Sequence, residues 1–218
     1  MKILKIAAIL VASSLALLAC TEKKADIIDT TIDFPDEYAS SKYIEALANE
    51  SYILDVSLFH DDMLIYNTVA QSGGVIESYS SINGSTSHTF SKGGETYFID
   101  DENKVYFLAD TSEDGGLQGG VDYSAAKYIG SGRETLMTGK ECDYDEYLCK
   151  TGDGEECGVK LYLNDKGELS AIVDYYGDQS IERDVSYFST EIPEGWLEIP
   201  DDYTLVDEDT YFNEYYGR

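Results

Sequence analysis

Residues 95–108, with the sequence ETYFIDDENKVYFL, decide the fold class of this chain. Two short apolar runs flank Asp100-Asp101-Glu102-Asn103, a connection with the length and composition of a hairpin loop. The flanking runs, Tyr97-Phe98-Ile99 and Val105 to Leu108, are apolar at consecutive positions. An antiparallel sheet with one wet face would show polar residues at every second position. We therefore expect both faces of this sheet to be covered.

The same rhythm extends along most of the chain. Between Tyr52 and Ser189, short runs rich in Tyr, Val, Ile, Phe and Thr alternate with Gly, Asn, Asp and Ser. Connections such as Asn164-Asp165-Lys166-Gly167 indicate that neighbouring strands are antiparallel. The pattern predicts a mainly β (α+β) domain: a strongly curved antiparallel sheet or half-barrel of about ten to eleven strands.

One helix is predicted before the strands. Pro35-Asp36-Glu37 has the chemistry of a helix start, and Tyr43, Ile44, Leu47 and Ala48 recur at helical spacing. We expect a single amphipathic helix over residues 36–50 that covers part of the sheet. The polar, glycine-rich residues 110–125 are expected to form a loop, and the acidic residues 207–218 a frayed tail.

The first twenty residues have the layout of an export signal. Lys2 and Lys5 precede an apolar run from Ile6 to Leu18, which is too short to span a bilayer. The segment Leu17 to Cys20 resembles the lipobox of bacterial lipoprotein signals, which implies that Cys20 is lipidated. The predicted organisation is a signal peptide at 1–19, a lipidated N-terminus and tether at 20–34, one antiparallel β domain at 35–206, and an acidic tail at 207–218. The expected location is outside the cytoplasmic membrane, anchored to a bacterial membrane.

Charge limits the partners of the chain. With 43 acidic and 15 basic residues, the net charge is −28. Nucleic acid repels such a surface, so nucleic-acid binding is excluded. The charge is compatible with cationic or uncharged partners, and equally with a role in keeping an exported protein soluble and monomeric.

Three further cysteines follow the lipobox. Cys149 and Cys157 flank the turn-rich residues 151–154, so a hairpin there would place them opposite each other as a possible disulfide. Cys142 is expected to remain free. Zinc binding is disfavoured because no C-x-x-C motif is present and His60 and His88 are the only histidines.

Catalytic patterns are weak. His60 and His88 are the only possible histidine bases, and Gly130-Ser131-Gly132 lacks the spacing of a nucleophile elbow. We expect both histidines to lie on strand ends or loops. Acidic runs such as Asp143 to Glu146 offer oxygen ligands but do not match a calcium loop. We assign no catalytic residue, no metal ligand and no cofactor.

The order of elements resembles the superfamily of LolA-like lipoprotein carriers and related bacterial lipoproteins. The resemblance covers about residues 36 to 206, and its segments are 93–100 (GGETYFID), 103–106 (NKVY), 128–132 (YIGSG), 138–142 (TGKEC) and 199–203 (IPDDY). It implies a curved half-barrel whose concave side binds an acyl chain or another hydrophobic ligand. No ligand motif of the family can be matched residue by residue.

Two functions are compatible with these features. The first is a non-enzymatic, membrane-anchored protein that binds a hydrophobic small molecule on the concave face of its sheet. The alternative is a cell-envelope interaction protein whose acidic, tyrosine-rich surface binds a cationic partner or wall polymer. Tyrosine is also a common strand residue, so its abundance alone does not decide between them.

Overall fold

The computed structural model describes residues 38–60, 63–109, 120–177 and 179–216. The predicted signal peptide, Cys20 and the tether to residue 34 lie outside the described residues. Within the described residues, no helix has the length and apolar character needed to cross a membrane.

The described residues form one large, mainly antiparallel sheet. The order of its twelve strands is β12-β6-β5-β4-β3-β2-β1-β11-β10-β9-β8-β7. The strands are β1 Tyr52–His60, β2 Met63–Ser72, β3 Val75–Ile82, β4 Ser85–Lys92, β5 Glu95–Asp100, β6 Val105–Leu108, β7 Val121–Thr135, β8 Glu141–Thr151, β9 Glu156–Leu163, β10 Leu169–Tyr176, β11 Gln179–Ser189 and β12 Thr204–Leu205. The sheet is open, with β12 and β7 as its edges. The mainly β prediction is confirmed, and the strand number exceeds the expected one because a two-residue strand pairs at the edge.

Two ladders of hairpins build this sheet. β1 to β6 form one ladder and β7 to β11 the other, and within each ladder consecutive strands are antiparallel neighbours. The ladders join where β1 pairs with β11, with Ile53 opposite Ser189 and Leu54 opposite Phe188. The only parallel pair among the described strands is β12 with β6.

The N-terminal helix is shorter than predicted. Helix α1 spans Ser41–Ala48. At its start, Ser40 is turned toward the sheet: its backbone N–H and its hydroxyl both donate to Asp145 Oδ2, at 2.9 and 2.8 Å. At its end, Glu50 has a φ of 50°, which stops the helical path. The side chains Tyr43, Ile44 and Leu47 are buried, as the helical spacing predicted.

The prediction of a single helix is not confirmed, because the chain also ends in helical structure. Helix α2 spans Glu208–Thr210, with the Asp207 side chain accepting a hydrogen bond from the Thr210 N–H, and a π-helical turn follows over Tyr211–Tyr215. The Tyr211 ring stacks on Phe107 with 4.6 Å between ring centroids. These contacts order a segment that the sequence analysis expected to fray.

The C-terminal residues also cover the second face of the sheet. We call the face against which α1 packs the helix-bearing face, and the other the opposite face. Leu197 and Tyr203 hydrogen-bond to side chains on the opposite face. The chain then pairs at the edge as β12 and reaches Phe107, which register places on the helix-bearing face. The expected second cover is therefore supplied by residues 196–216 as well as by α1.

The prediction of a loop over residues 110–125 was wrong for residues 121–125, which belong to β7. Residues 110–119 lie outside the described residues, but β7 already begins at Val121. Register shifts between Asp122 and Lys127 and between Tyr128 and Gly130 interrupt its pairing with β8. The irregular register explains why the start of this strand lacked a clear period-two pattern.

Candidate functional site

The helix-bearing face divides into two halves with different character. Over β1 and β8–β10 it is filled by the chain's own apolar side chains. Tyr43, Ile44 and Leu47 of α1 pack into a cluster with strand residues such as Tyr147 and Leu161, both with no exposed surface. Burial raises the pKa of the Tyr147 phenol to about 12, while a hydrogen bond with Ser40 opposes the shift. This half is a packed core rather than an open binding surface.

A buried ion pair lies on the same face at the seam between the ladders. Arg183 donates to Asp174, and both side chains are 4% exposed. Burial works to lower the pKa of the Arg183 guanidinium, but the neighbouring Asp174, Tyr123 and Tyr176 outweigh it and the pKa is raised. Asp174 Oδ1 and Arg183 Nε have no hydrogen-bond partner. The guanidinium is therefore held in its charged form, and each partner keeps one atom without a hydrogen bond.

The half of the helix-bearing face over β2–β4 carries a row of polar side chains. Asn67 lies opposite Ser80, and Ser80 lies opposite Ser87, in adjacent strands. Asn67 in turn faces Val56 of the core cluster, which fixes the row on the helix-bearing face. Ile65 and Ile82 border the row on one side. On the other side lie the fully buried Val69 and, across the ladder from it, Ser78 and Thr89. We call Asn67, Ser80 and Ser87 the polar row.

The opposite face carries a different cluster, centred on His88 in the middle of β4. His88 Nε2 lies 2.8 Å from Glu77 Oε1, and His88 Nδ1 lies 3.0 Å from Asp101 Oδ2. Glu77 and His88 are 3% and 5% exposed, whereas Asp101 is half exposed. The Tyr79 ring stacks on the imidazole with 3.9 Å between ring centroids. The prediction that His88 lies at a strand end or in a loop was wrong.

The His88 cluster attaches the C-terminal segment to the sheet. The backbone N–H of Leu197 donates to Glu77 Oε2 at 2.6 Å, and the Tyr203 hydroxyl donates to Asp101 Oδ1 at 2.9 Å. The Trp196 ring makes an edge contact with Tyr79. The hydrogen bonds of Leu197 and Tyr203 to the two carboxylates beside His88 therefore hold the C-terminal segment on the sheet.

No serine, threonine or cysteine hydroxyl or thiol is hydrogen-bonded to His88 within the described residues. The cluster thus lacks the nucleophile that a hydrolase triad requires. His60 is the last residue of β1, as expected of a strand end, and is well separated from His88 in the sheet order.

Tyrosines and acids share the opposite face over β7–β10. Tyr162 and Lys160 both donate to Glu134, with closest distances of 2.8 Å. The hydrogen bonds from Lys160 and Tyr162 lower the pKa of the Glu134 carboxyl. The Tyr175 hydroxyl donates to Glu146, and burial together with this bond raises the pKa of Tyr175. We call these five residues the tyrosine–acid patch.

Glycine makes room for this patch. Tyr175 is the register partner of Gly158, and a Cβ built on Gly158 would lie 1.8 Å from Tyr175 Cζ. A side chain at Gly158 would therefore displace the ring. The Tyr144 ring covers Gly132 in the same way, with its hydroxyl 2.6 Å from the position of a Cβ.

Cys149 and Cys157 lie opposite each other on β8 and β9, as the turn composition predicted. Both are free, buried thiols on the helix-bearing face. Burial, and then the nearby Asp174, raise the pKa of Cys157 to about 11. Cys142 is also free and buried, but it packs with Tyr162 and Ala171 in the core cluster of the opposite face. The predicted bond between Cys149 and Cys157 stays a prediction.

Metal ligands do not converge in the described part of the chain. No group of three or more His, Cys, Asp or Glu side chains there could hold a metal ion. Asp145 from the acidic run 143–146 instead accepts a hydrogen bond from the Ser40 N–H at the start of α1. Asp207 accepts one from the Thr210 N–H and so caps α2. The sequence analysis missed both the polar row and the His88 cluster. The row of Asn and Ser had the signature of solvent-facing strand positions, and the cluster joins residues distant in sequence.

Comparison with known proteins adds little to this description. No protein-family model matches the sequence, and no curated protein matches it either. A solved structure described as an uncharacterized conserved protein from Thermus thermophilus is similar over 77% of this chain and 99% of that chain, with 12% sequence identity and a TM-score of 0.42. Similarity at that level supports no inference about function.

Proposed function

We propose that the protein is a non-enzymatic lipoprotein, anchored outside the cytoplasmic membrane through lipidated Cys20, that binds a hydrophobic ligand such as an acyl chain. In this proposal the ligand lies on the helix-bearing face over β2–β4, the surface that would correspond to the concave side of a LolA-like half-barrel. The supporting observation is the contrast between the two halves of this face. One half is filled by α1, and the other has a buried surface with apolar borders and polar atoms that have no partner.

The ligand-binding part of this proposal is tested with delipidated protein. We expect native mass spectrometry to reveal co-purifying lipid, and a fluorescent fatty acid to bind. Ser80→Phe would fill the face over β3 and reduce uptake of the fatty acid. Ser81→Phe is the matched control, because Ser81 is the next residue of the same strand and points to the opposite face. Absence of both lipid and uptake in the wild type would rule out ligand carriage.

The anchor is tested separately in cells. We expect radiolabelled palmitate to be incorporated into the wild-type chain and lost in Cys20→Ala. Fractionation should place the wild type with membranes and release the variant. Labelling that persists in the variant would show that Cys20 is not the modified residue, and the tethering proposal would then fail without affecting ligand binding.

A second candidate function is supported by the tyrosine–acid patch. Here we propose that the opposite face over β7–β10 binds a cationic partner or wall polymer. Its Tyr175 ring lies against Gly158, and its carboxylates Glu134 and Glu146 are hydrogen-bonded to its tyrosines on a strongly acidic chain. Binding to isolated cell envelope should weaken as salt rises, because screening reduces attraction between exposed charges. A pulldown that shows no binding, or binding insensitive to salt, would remove this candidate.

A further inference from the structure

The polar row contains four side-chain atoms that are buried and unsatisfied. They are Asn67 Nδ2, Asn67 Oδ1, Ser80 Oγ and Ser87 Oγ. Asn67 and Ser80 are 2% and 3% exposed. Buried polar side chains are almost always hydrogen-bonded, since a lost water partner must be replaced. Isolated exceptions occur, but here they lie side by side on three neighbouring strands.

The adjacent row of the same strands serves as an internal comparison. Ser78 precedes Ser80 by two residues in β3 and therefore lies on the same helix-bearing face. Its hydroxyl is 2.8 Å from that of Thr89, its register partner. Serine in these strands can therefore find a partner across the ladder. The atoms of the polar row do not, although Ser80 and Ser87 stand in the same register relationship. Within the described residues, no group of the protein completes the polar row.

The chemistry of the row restricts that group. An amide and two hydroxyls offer both donors and acceptors, and none of the three carries a charge. A charged group buried in the row would lack a counter-ion, so a neutral group with several hydroxyls or amides fits best.

The apolar borders of the row complete the description of the ligand. Ile65 and Ile82 are buried on one side, and Val69 on the other. We propose that the polar row recognises the uncharged, hydroxyl- or amide-bearing head of an amphiphile, and that the apolar borders hold its chain. This inference rests on the proposed ligand-binding function and names its ligand class.

The test uses four probes and two variants. The probes are octyl glucoside, octanoate and octyltrimethylammonium, which share a chain and differ in the head, and methyl glucoside, which has the sugar without the chain. The test variant Asn67→Leu/Ser80→Ala/Ser87→Ala removes the polar row. The control variant Ser78→Ala/Thr89→Val removes the adjacent hydroxyls that already bond to each other. Affinities are measured by calorimetry below the critical micelle concentrations.

We expect octyl glucoside to bind the wild type at least tenfold more tightly than the other three probes. The test variant should lose at least tenfold in affinity for octyl glucoside, and the control variant should bind like the wild type. Without ligand, the test variant should unfold at a higher urea concentration than the wild type, because replacing unsatisfied buried groups with apolar ones removes their desolvation penalty.

Each of the other outcomes contradicts one part of the proposal. If all three octyl probes bind equally and the test variant is unaffected, the head-group assignment is wrong while ligand binding stands. Tight binding of methyl glucoside would show that the apolar chain is not needed, and the assignment of an amphiphilic ligand would be wrong. Failure of every octyl probe would remove the proposed function itself. A test variant that is less stable than the wild type without ligand would show that the row is already satisfied, for example by ordered water.

Discussion

Replacing Glu77 with alanine should release the C-terminal segment from the opposite face of the sheet. Glu77 is 3% exposed; its Oε1 is hydrogen-bonded with His88 Nε2 at 2.8 Å, and its Oε2 accepts a hydrogen bond from the Leu197 N–H at 2.6 Å. Hydrogen bonds to a charged group contribute about 1.5–3 kcal/mol each, so the loss of both should cost about 3–6 kcal/mol. Losses of that size are a large share of the stability of an ordinary domain, which is about 5–15 kcal/mol.

The C-terminal segment should detach at a lower urea concentration than the one that unfolds the sheet, and tryptophan fluorescence can report its detachment. Trp196 is the only tryptophan and contacts Tyr79 beside Glu77. In Glu77→Ala its emission should shift to the red at a urea concentration well below the circular-dichroism transition. Glu95→Ala is the matched control, because Glu95 is an exposed acid that accepts a hydrogen bond from the nearby Tyr97. If the emission and circular-dichroism transitions coincide at the wild-type midpoint, Glu77 does not hold the C-terminal segment on the sheet.

Three further predictions concern the β7–β10 region. Gly158→Ala should destabilise the protein by about 1–3 kcal/mol, because the new Cβ collides with Tyr175; thermal melts check this, and an unchanged midpoint would contradict the close approach. Glu134→Gln should cost stability at neutral pH but not in acid. Because the pKa of Glu134 is lowered by Lys160, its contribution is present above the ordinary carboxyl pKa and lost as pH falls through the folded value; a wild-type advantage that does not change with pH would refute it. Finally, with its pKa raised to about 11, native Cys157 should react with a thiol reagent at pH 8 far more slowly than in urea; equal rates would show that the thiol is accessible.

The hairpin ladders could be predicted because their signals are local. Each turn is marked by Gly, Asn or Asp beside runs of β-forming residues, and the register that followed placed Cys149 opposite Cys157 as expected. The inward face of α1 could be predicted for the same reason, from the helical spacing of Tyr43, Ile44 and Leu47. The doubly apolar strands correctly indicated that both faces are covered, as Phe107 and the buried Ile99 show.

What covers those faces could not be predicted. The sequence analysis assigned the cover to α1 or to curvature, whereas residues 196–216 supply much of it through contacts with Glu77, Asp101 and Phe107. These contacts join residues about a hundred positions apart, and no local pattern records such pairing. The polar row was missed for another reason. Asn and Ser at alternate strand positions have the pattern of a solvated face, so their burial is visible only in three dimensions.

The pairing of β1 with β11 differs from the other antiparallel pairs in how much chain separates its two strands. Every other antiparallel pair closes a short loop, because its strands follow each other in the chain. The seam brings together residues as distant as Ile53 and Ser189, so it bears nearly all the long-loop entropy of the antiparallel sheet. Hairpins can zip quickly on either side, but the last event is the meeting of two preformed halves. Until then each half presents a bare strand edge, and the period before joining is when the chain is most open to mispairing.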